Sequence, residues 1–378
     1  MPHYRFDRRR LLFRKLEERK NKVNILRDHI PASKRPESLT DEKARELISL
    51  TAEKIRMARR INKPVVLAFG AHAIKNGLSP VLIELIRQGW ITHMATNGAG
   101  IIHDWELAYI GETSEDVREN TSKGQFGIWH ETGYYINLAL LSGAFQGLGY
   151  GESVGKMIFD DGLFIPDPDE LRKTAVEESV RNPERAAAAI DLAGAIENFR
   201  IQTGFIKISH PFKQFSVQSA AFQYGVKFTG HPMIGHDIIY THPLNNGAAL
   251  GRTALNDFLS FVQTISDIDQ GVYMSVGSAI MSPMIFEKAL SMAQNIAIQE
   301  KRHIDRHFML VVDLTESQHD WKSDGEPSEN NPAYYMRYCK TFSRMGGEMH
   351  YLRADNRLFF PALLNELSDD SLIPDNKN

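Results

Sequence analysis

The sequence predicts an α/β protein with a doubly wound, mainly parallel sheet and a helical N-terminal arm. Short, uninterrupted apolar runs end at glycine or small polar residues, as strands buried on both faces do. Segments with helical periodicity alternate with these runs over most of the 378 residues. Composition is ordinary for a globular chain, with 42% hydrophobic and 24% charged residues. No apolar run reaches the roughly 18 residues that a membrane helix needs.

Residues 1–62 are expected to form the arm. Residues 1–60 hold 18 Lys and Arg against 9 Asp and Glu, so their net charge is +9. The whole chain has a net charge of -3, so the remaining residues carry -12. Apolar residues from Leu12 to Leu26 predict a basic amphipathic helix over 8–30, and a second helix is expected to end before Pro64. No nucleic-acid motif accompanies this charge, so we expect the arm to pack on an acidic neighbouring subunit or on the chain itself.

The remaining elements follow in order along a single predicted nucleotide-binding domain over 63–366. The first strand–helix–strand unit runs through 64–71, 77–89 and 90–100, and Pro80 lies in the first turn of its helix. Further strands are predicted at 204–210, 226–232, 271–279, 306–315 and 348–355, with helices at 214–225, 254–268, 283–299 and 331–347. Residues 167–200 predict a helical insertion, 111–137 a long binding loop or lid, and 367–378 a flexible tail.

The loops after the predicted strands are the places to look for a ligand, because ligands of open parallel sheets lie beyond the carboxyl ends of the strands. These loops are rich in small residues, and glycine lets a backbone approach a phosphate closely. Asp104, Asp313 and Asp355 are placed to bind ribose hydroxyls or a polar substrate. Neither G-x-G-x-x-G nor a P-loop motif is present, so ordinary turn chemistry is the alternative.

The segment GHPMIGHDIIYTHP, residues 230–243, is the candidate for catalytic chemistry. Asp237, His236 or His231 would serve as an acid–base group. A zinc or iron site and a purely structural loop are the alternatives. A single cysteine, Cys339, excludes an internal disulfide and favours a reducing, cytoplasmic location, and we interpret it as a packing residue.

Several stretches together resemble the deoxyhypusine synthase-like family. They include VVLAFGAHAIKNGLSPVLIELIRQGWITHMATNGAGIIHD, QSAAFQYGVKFTGHPMIGHDIIYTHP, DQGVYMSVGSAI and LRADNRLFFPALL, within residues 64–365. The resemblance implies a Rossmann-like fold, bound NAD and a homo-oligomer, commonly a homotetramer, with a dimer as the alternative. It places Asp355 on the family's NAD-contacting aspartate. The cofactor-binding residues are then expected to be Gly70, His72, Thr96, Asn97, Gly98, Ala99, Gly100, Asp104, Gly277, Ser278, Thr315 and Asp355.

The sequence also departs from that family at the position of its chemistry. The family forms an imine on a lysine, whereas Ile268 or Asp269 stands at that place here, and neither can supply an amine. We therefore expect an NAD-binding enzyme that acts on a small polar amine or alcohol and is not a true deoxyhypusine synthase. A metal-dependent hydrolase or lyase using the 231–242 histidines and a non-catalytic nucleotide-binding regulator are the alternatives.

Overall fold

The computed structural model describes residues 3–34 and 41–368. The chain divides into two compact units, each made of separate segments. The first unit comprises Met1–Asp28, Asn97–Gln223 and Phe228–Asp257, and the second comprises His29–Thr96, Tyr224–Lys227 and Phe258–Asn378. Both units include residues from the expected arm, and the boundaries at 62 and 366 stay predictions. Of the expected tail, residues 369–378 lie outside the described residues.

The elements alternate along the chain as follows. The strands are β1 (Asn21–Asn24), β2 (Val65–Phe69), β3 (His93–Asn97), β4 (Glu112–Glu115), β5 (Gly162–Ile165), β6 (Gly204–Lys207), β7 (Lys227–His231), β8 (Val272–Val276), β9 (Phe308–Asp313) and β10 (Glu348–Arg353). The helices are α1 (Ile25–Asp28), α2 (Glu42–Arg60), α3 (His72–Lys75), α4 (Ser79–Arg87), α5 (Gly98–Ile110), α6 (Val117–Ser122), α7 (His130–Gln146), α8 (Tyr150–Asp160), α9 (Pro168–Glu178), α10 (Pro183–Phe199), α11 (Val217–Tyr224), α12 (Gly247–Ser266), α13 (Met281–Gln299), α14 (Arg337–Ser343) and α15 (Asn356–Leu367).

A six-stranded sheet of order β10-β9-β8-β2-β3-β7 confirms the predicted α/β fold class. The pairs β10–β9, β9–β8, β8–β2 and β2–β3 are parallel. Every residue of β2 and β8 is buried, which explains why both appear in the sequence as uninterrupted apolar runs. The helices α9 and α10 lie within the predicted helical region 167–200, and its description as an insertion stays a prediction. No helix among the described residues is long and apolar enough to cross a membrane.

The core of the second unit packs against β8 and β9. The Tyr273 ring lies 4.2 Å from that of Phe286 and 5.8 Å from that of Phe342, centroid to centroid. Cys339 is fully buried in the same cluster, and burial raises the pKa of its thiol. A buried thiol of this kind is a packing residue, as the sequence indicated.

The predicted helix over residues 8–30 is wrong. The segment instead has 3-10 turns at Arg8–Arg10 and Leu16–Glu18, the strand β1 and the short helix α1. The backbone N–H of Leu16 donates to Glu131, and β1 pairs antiparallel with β4. These long-range contacts replace helical hydrogen bonds, and Leu12 stays exposed.

Two further expectations need correction. Residues 111–137 are not a long loop, because they contain β4, α6 and the start of α7. Asp116 caps α6 by accepting a hydrogen bond from the backbone of Glu119 at 2.8 Å. The strand predicted at 204–210 forms as β6, but it pairs antiparallel with β5 and does not join the parallel sheet.

Candidate functional site

The order of the parallel strands reverses between β2 and β8. The chain continues from β2 to β3 on one side, whereas β8 is followed by β9 and β10 on the other. In sequence order the six strands are arranged 6-5-4-1-2-3, which is the arrangement of dinucleotide-binding sheets. The crevice at the carboxyl ends of the strands around such a reversal is where ligands of these sheets bind.

A small crevice of about 210 Å³ opens at these carboxyl ends, wholly within the second unit. Its lining combines backbone from three strand ends with a few polar side chains. The residues are His72, Asn76, Val276, Gly277, Val312, Asp313, Leu314, Ala354, Asp355 and Asn356. Four of the predicted positions therefore meet here, because His72, Gly277 and Asp355 follow β2, β8 and β10, and Asp313 is the last residue of β9.

Two carboxylates dominate this crevice. Asp313 accepts hydrogen bonds from the backbone N–H and the hydroxyl of Thr315, at 3.1 and 3.0 Å. Asp355 caps α15 by accepting from the backbone N–H of Arg357 at 2.8 Å. The hydrogen bond from the Arg357 guanidinium lowers the pKa of Asp355, so this carboxyl is ionised at neutral pH. Each carboxylate is held by a residue two positions further along the chain. Thr315 contacts Asp313 and does not itself line the crevice.

Three other predicted residues of the second unit make contacts that the sequence did not reveal. A Cβ atom on Gly70 would lie 2.1 Å from the carbonyl oxygen of Gly277, so the two strand ends approach too closely for any side chain. The Thr96 hydroxyl is buried and donates to the Phe69 carbonyl at 2.9 Å. The Ser278 hydroxyl accepts from the backbone N–H of Ser282 at the start of α13.

In the first unit, the predicted loop 97–100 begins α5. Asn97 caps this helix by accepting from the backbone N–H of Gly100 at 2.9 Å. Gly98 lies directly against a carboxylate, because a Cβ atom there would be 2.1 Å from Asp237 Oδ2. Ala99 is partly exposed beside it. The small residues of this loop thus make room for a protein carboxylate at the positive end of a helix.

Asp237 belongs to a group of buried oxygen atoms. Its Oδ2 and the hydroxyls of Tyr150 and Tyr240 are buried without a hydrogen-bond partner in the described part of the chain. Burial raises the pKa of Asp237 to about 6. Burial, and then the charge of Asp237, raise the pKa of Tyr150 well above its usual value. Buried polar groups without partners are costly, and they are concentrated at functional sites.

The histidines of residues 230–243 lie in different surroundings. His231 is buried, with Nε2 2.9 Å from the Thr229 hydroxyl, and burial lowers its pKa to about 3. His236 is exposed. His242 packs against the rings of Phe13 and His130, at 4.8 and 5.4 Å between centroids. Within residues 3–34 and 41–368, no three His, Cys, Asp or Glu side chains are grouped so that they could hold a metal ion.

The polar residues that follow Gly100 have structural partners. Asp104 is fully buried, and its two oxygens accept four hydrogen bonds from Ser216, Val217 and Gln218 and so cap α11. Burial raises the pKa of Asp104 despite these bonds. Glu106 forms a buried ion pair with Arg19. These partners occupy both Asp104 oxygens, which the sequence had predicted to bind ribose hydroxyls or a polar substrate.

Sequence reasoning missed Asp257, which lies on α12. Its Oδ2 accepts hydrogen bonds from the backbone N–H groups of Gly151, at 2.8 Å, and Gly230, at 2.6 Å. Burial raises the pKa of Asp257 to about 8. No sequence motif marks this residue, because its partners lie 27 and 106 positions away.

The similarity of the chain to known proteins is confined to structure. No protein-family model matches the sequence, and no curated protein sequence matches it. Among solved structures, an arginine dihydrolase of cyanobacteria, ArgZ, is similar with 14% identity and a TM-score of 0.38 over 85% of this chain. AgrE in complex with ornithine and NAD+ is similar with 14% identity and a TM-score of 0.42 over 88% of this chain.

An LOR/SDH protein of Methanococcus maripaludis S2 is similar with 13% identity and a TM-score of 0.43 over 89% of this chain and 70% of that one. The chain spans about a third of the other two proteins, 32% of ArgZ and 34% of AgrE. The resemblance to deoxyhypusine synthase gains no support from these comparisons, and homotetramer formation stays a prediction.

Proposed function

We propose that the protein is an NAD-binding enzyme that acts on a small polar substrate, an amine or an alcohol. The observation that carries the cofactor part is the reversal of strand order between β2 and β8, with a crevice at the strand ends beside it. Gly277 offers bare backbone to a pyrophosphate, and Asp355 and Asp313 offer carboxylate oxygens to ribose hydroxyls.

The chemical part of the proposal rests on the group around Asp237. A carboxyl with a pKa of about 6 is divided between its two protonation states near neutral pH, as an acid–base catalyst must be. Its Oδ2 has no hydrogen-bond partner in the described chain, so no protein group competes for its proton. The residues that line the crevice belong to the second unit, and Asp237 belongs to the first.

Release of the bound nucleotide tests the cofactor part first. The purified protein is denatured and the supernatant is analysed by mass spectrometry, which should detect NAD or NADH. Isothermal titration with NAD then compares wild type with Asp355→Asn. Asparagine retains the helix cap but removes the charge. We expect affinity to fall by about tenfold or more, since a hydrogen bond to a charged group is lost.

Asp41→Asn is the matched control. Asp41 caps α2 in the same way, by accepting from the backbone N–H of Lys43 at 3.1 Å, and it does not line the crevice. Equal NAD affinity of wild type, Asp355→Asn and Asp41→Asn would remove Asp355 from the site.

Turnover tests the chemical part. Formation of NADH is followed by its near-ultraviolet absorbance, which NAD lacks. The assay covers a panel of primary amines and secondary alcohols. Asp237→Asn should abolish turnover while NAD affinity is retained. Tight NAD binding by wild type without turnover on any panel member would instead indicate a regulatory nucleotide-binding protein.

A further inference from the structure

A second and larger cavity lies at the amino ends of the strands, opposite the crevice at their carboxyl ends. It measures about 570 Å³, within the range of roughly 300–1,000 Å³ typical of small-molecule sites. It opens beside the amino ends of β8, β9 and β10, and it lies wholly within the second unit. Its lining consists of Lys54, Met57, Arg60, Ile61, Gln270, Asp305, Arg306, His307, Phe308, Gly347 and Glu348.

One side of the cavity is apolar. Met57 and Ile61 are four residues apart at the C-terminal end of α2, so they share one side of the helix. Their side chains are 51% and 52% exposed, although both are large and apolar. Phe308 lines the cavity with them and is 3% exposed. This side provides a surface for the apolar body of a ligand.

The cations of the cavity differ in how they are paired. Lys54 forms an ion pair with Glu348 at 3.1 Å, and Arg306 forms one with Asp269. Arg60 makes no hydrogen bond or ion pair with any described residue. A guanidinium binds a carboxylate through two parallel hydrogen bonds, so Arg60 is a ready partner for an anion next to the apolar side.

His307 adds hydrogen-bonding capacity that the fold does not use. It is fully buried, and neither ring nitrogen has a hydrogen-bond partner within the described ranges. Burial lowers the pKa of His307 to about 4, so its ring is neutral at pH 7. A neutral imidazole offers one donor and one acceptor. Gly347 lies against this ring, because a Cβ atom there would come within 2.9 Å of Nε2.

We propose that this cavity binds a small carboxylate with an apolar body, such as an aromatic or branched aliphatic acid. The carboxylate pairs with Arg60, and the apolar body covers Met57 and Ile61. The site is separate from the crevice that contains Gly277, because the two open at opposite ends of the same strands. The six residues of β9 set a separation of about 17 Å, so both sites are occupied at the same time without contact.

Isothermal titration with phenylacetate tests this site on the full-length protein. Wild type should bind phenylacetate with a Kd of about 1 mM or below. Arg60→Gln should weaken binding by about tenfold or more, since it removes the charged donor. Met57→Gln keeps the length and helix propensity of the side chain but removes the apolar surface, and it should also weaken binding.

Arg45→Gln is the matched control. Arg45 is an exposed arginine on the same helix and is not part of the cavity lining, so the variant should bind phenylacetate as wild type does. Acetate, which lacks the apolar body, and benzyl alcohol, which lacks the charge, should each bind more weakly than phenylacetate. Thermal unfolding without ligand checks that each variant is folded.

The proposal is overturned if phenylacetate shows no saturable binding up to about 10 mM. It is also overturned if Arg60→Gln, while folded, binds phenylacetate as tightly as Arg45→Gln. Displacement of phenylacetate by NAD would likewise contradict a site separate from the crevice.

Discussion

Arg19 and Glu106 form a buried ion pair with two parallel hydrogen bonds. Arg19 Nη1 donates to Oε1 at 2.8 Å and Nη2 to Oε2 at 2.6 Å, and the two side chains are 2% and 1% exposed. Thr113 and Thr132 donate to the same carboxylate, at 2.5 and 2.8 Å. Burial by itself would raise the pKa of Glu106, but the charge and the hydrogen bonds of Arg19 outweigh it and lower the pKa. Both members of the pair are therefore charged.

Breaking this pair from one side should destabilise the protein strongly. Arg19→Met leaves Glu106 buried without its counter-charge, and we expect the free energy of unfolding to fall by about 3–5 kcal/mol. Urea denaturation measures the change. Arg172→Met is the control, because the Arg172–Glu197 pair is exposed, and its loss should cost about 1 kcal/mol or less. Similar losses of unfolding free energy in the two variants would show that burial does not decide how much each ion pair contributes to stability.

The cap at Asp104 should also be worth more than an exposed cap. Asp104→Ala removes four accepted hydrogen bonds and leaves the Ser216 hydroxyl and the Val217 backbone N–H without this acceptor, so we expect a loss of about 3 kcal/mol or more. Asp116→Ala removes one capping bond at the start of α6 and an exposed ion pair with Lys22, and it should cost about 1 kcal/mol. The two variants are compared by denaturant unfolding, and a smaller loss for Asp104→Ala would count against its capping role.

Gly98 should be intolerant of even a methyl group. The added Cβ of Gly98→Ala would overlap Asp237 Oδ2, so the carboxylate must move, and we expect a loss of about 1–3 kcal/mol. Gly194→Ala provides the opposite case within α10, because nothing lies within 4 Å of its Cβ. Alanine there should stabilise by about 0.5–1 kcal/mol. Thermal unfolding of both variants distinguishes them, and stabilisation by Gly98→Ala would show that Asp237 is not held there.

Asp257 should make stability depend on pH. An unfolded carboxyl has a pKa of about 4, whereas burial raises that of Asp257 to about 8 in the folded protein. Between these values the folded state retains a proton that the unfolded state has lost. The contribution of Asp257 to the free energy of unfolding therefore falls as the pH rises from 4 to 8.

Asp257→Asn isolates that contribution. The amide oxygen can accept the same two backbone hydrogen bonds that Oδ2 accepts from Gly151 and Gly230. Urea unfolding of wild type and variant at pH 5 and pH 8 gives the difference, from which the histidine contributions cancel. We expect wild type to lose stability relative to the variant as the pH rises. An unchanged difference would mean that Asp257 ionises with an ordinary pKa.

The sequence predicted the parallel sheet because its signal is local. In β2 and β8 every position is buried, so burial is visible as five consecutive residues of the apolar or small type. The helix α6 was also readable in principle, since Asp116 precedes Glu119 by three residues as in a capping signal. The surrounding residues are mostly polar, with glycine at Gly111 and Gly124, so the composition of the segment is that of a loop.

The functions of individual polar residues were harder to predict. Asp104 follows a glycine-rich strand end, where a ligand contact is the reasonable expectation, but its partner Ser216 lies 112 positions away. The same holds for Asp257 and for Arg19, whose partner Glu106 lies 87 positions away. Composition and spacing carry no information about such pairings, so only the folded chain distinguishes a cap from a ligand contact.

The first unit has a consequence for synthesis on the ribosome. Arg8 donates to the carbonyl oxygen of Tyr240 and to the side chain of Asn245, 232 and 237 positions further along. Translation proceeds at about 5–20 residues per second, so the beginning of the chain waits tens of seconds or less for the partners that fix it. Leu16, which is fully buried in the finished fold, has a nearer partner in Glu131, 115 positions further along, and it is open to chaperones until that segment is synthesised.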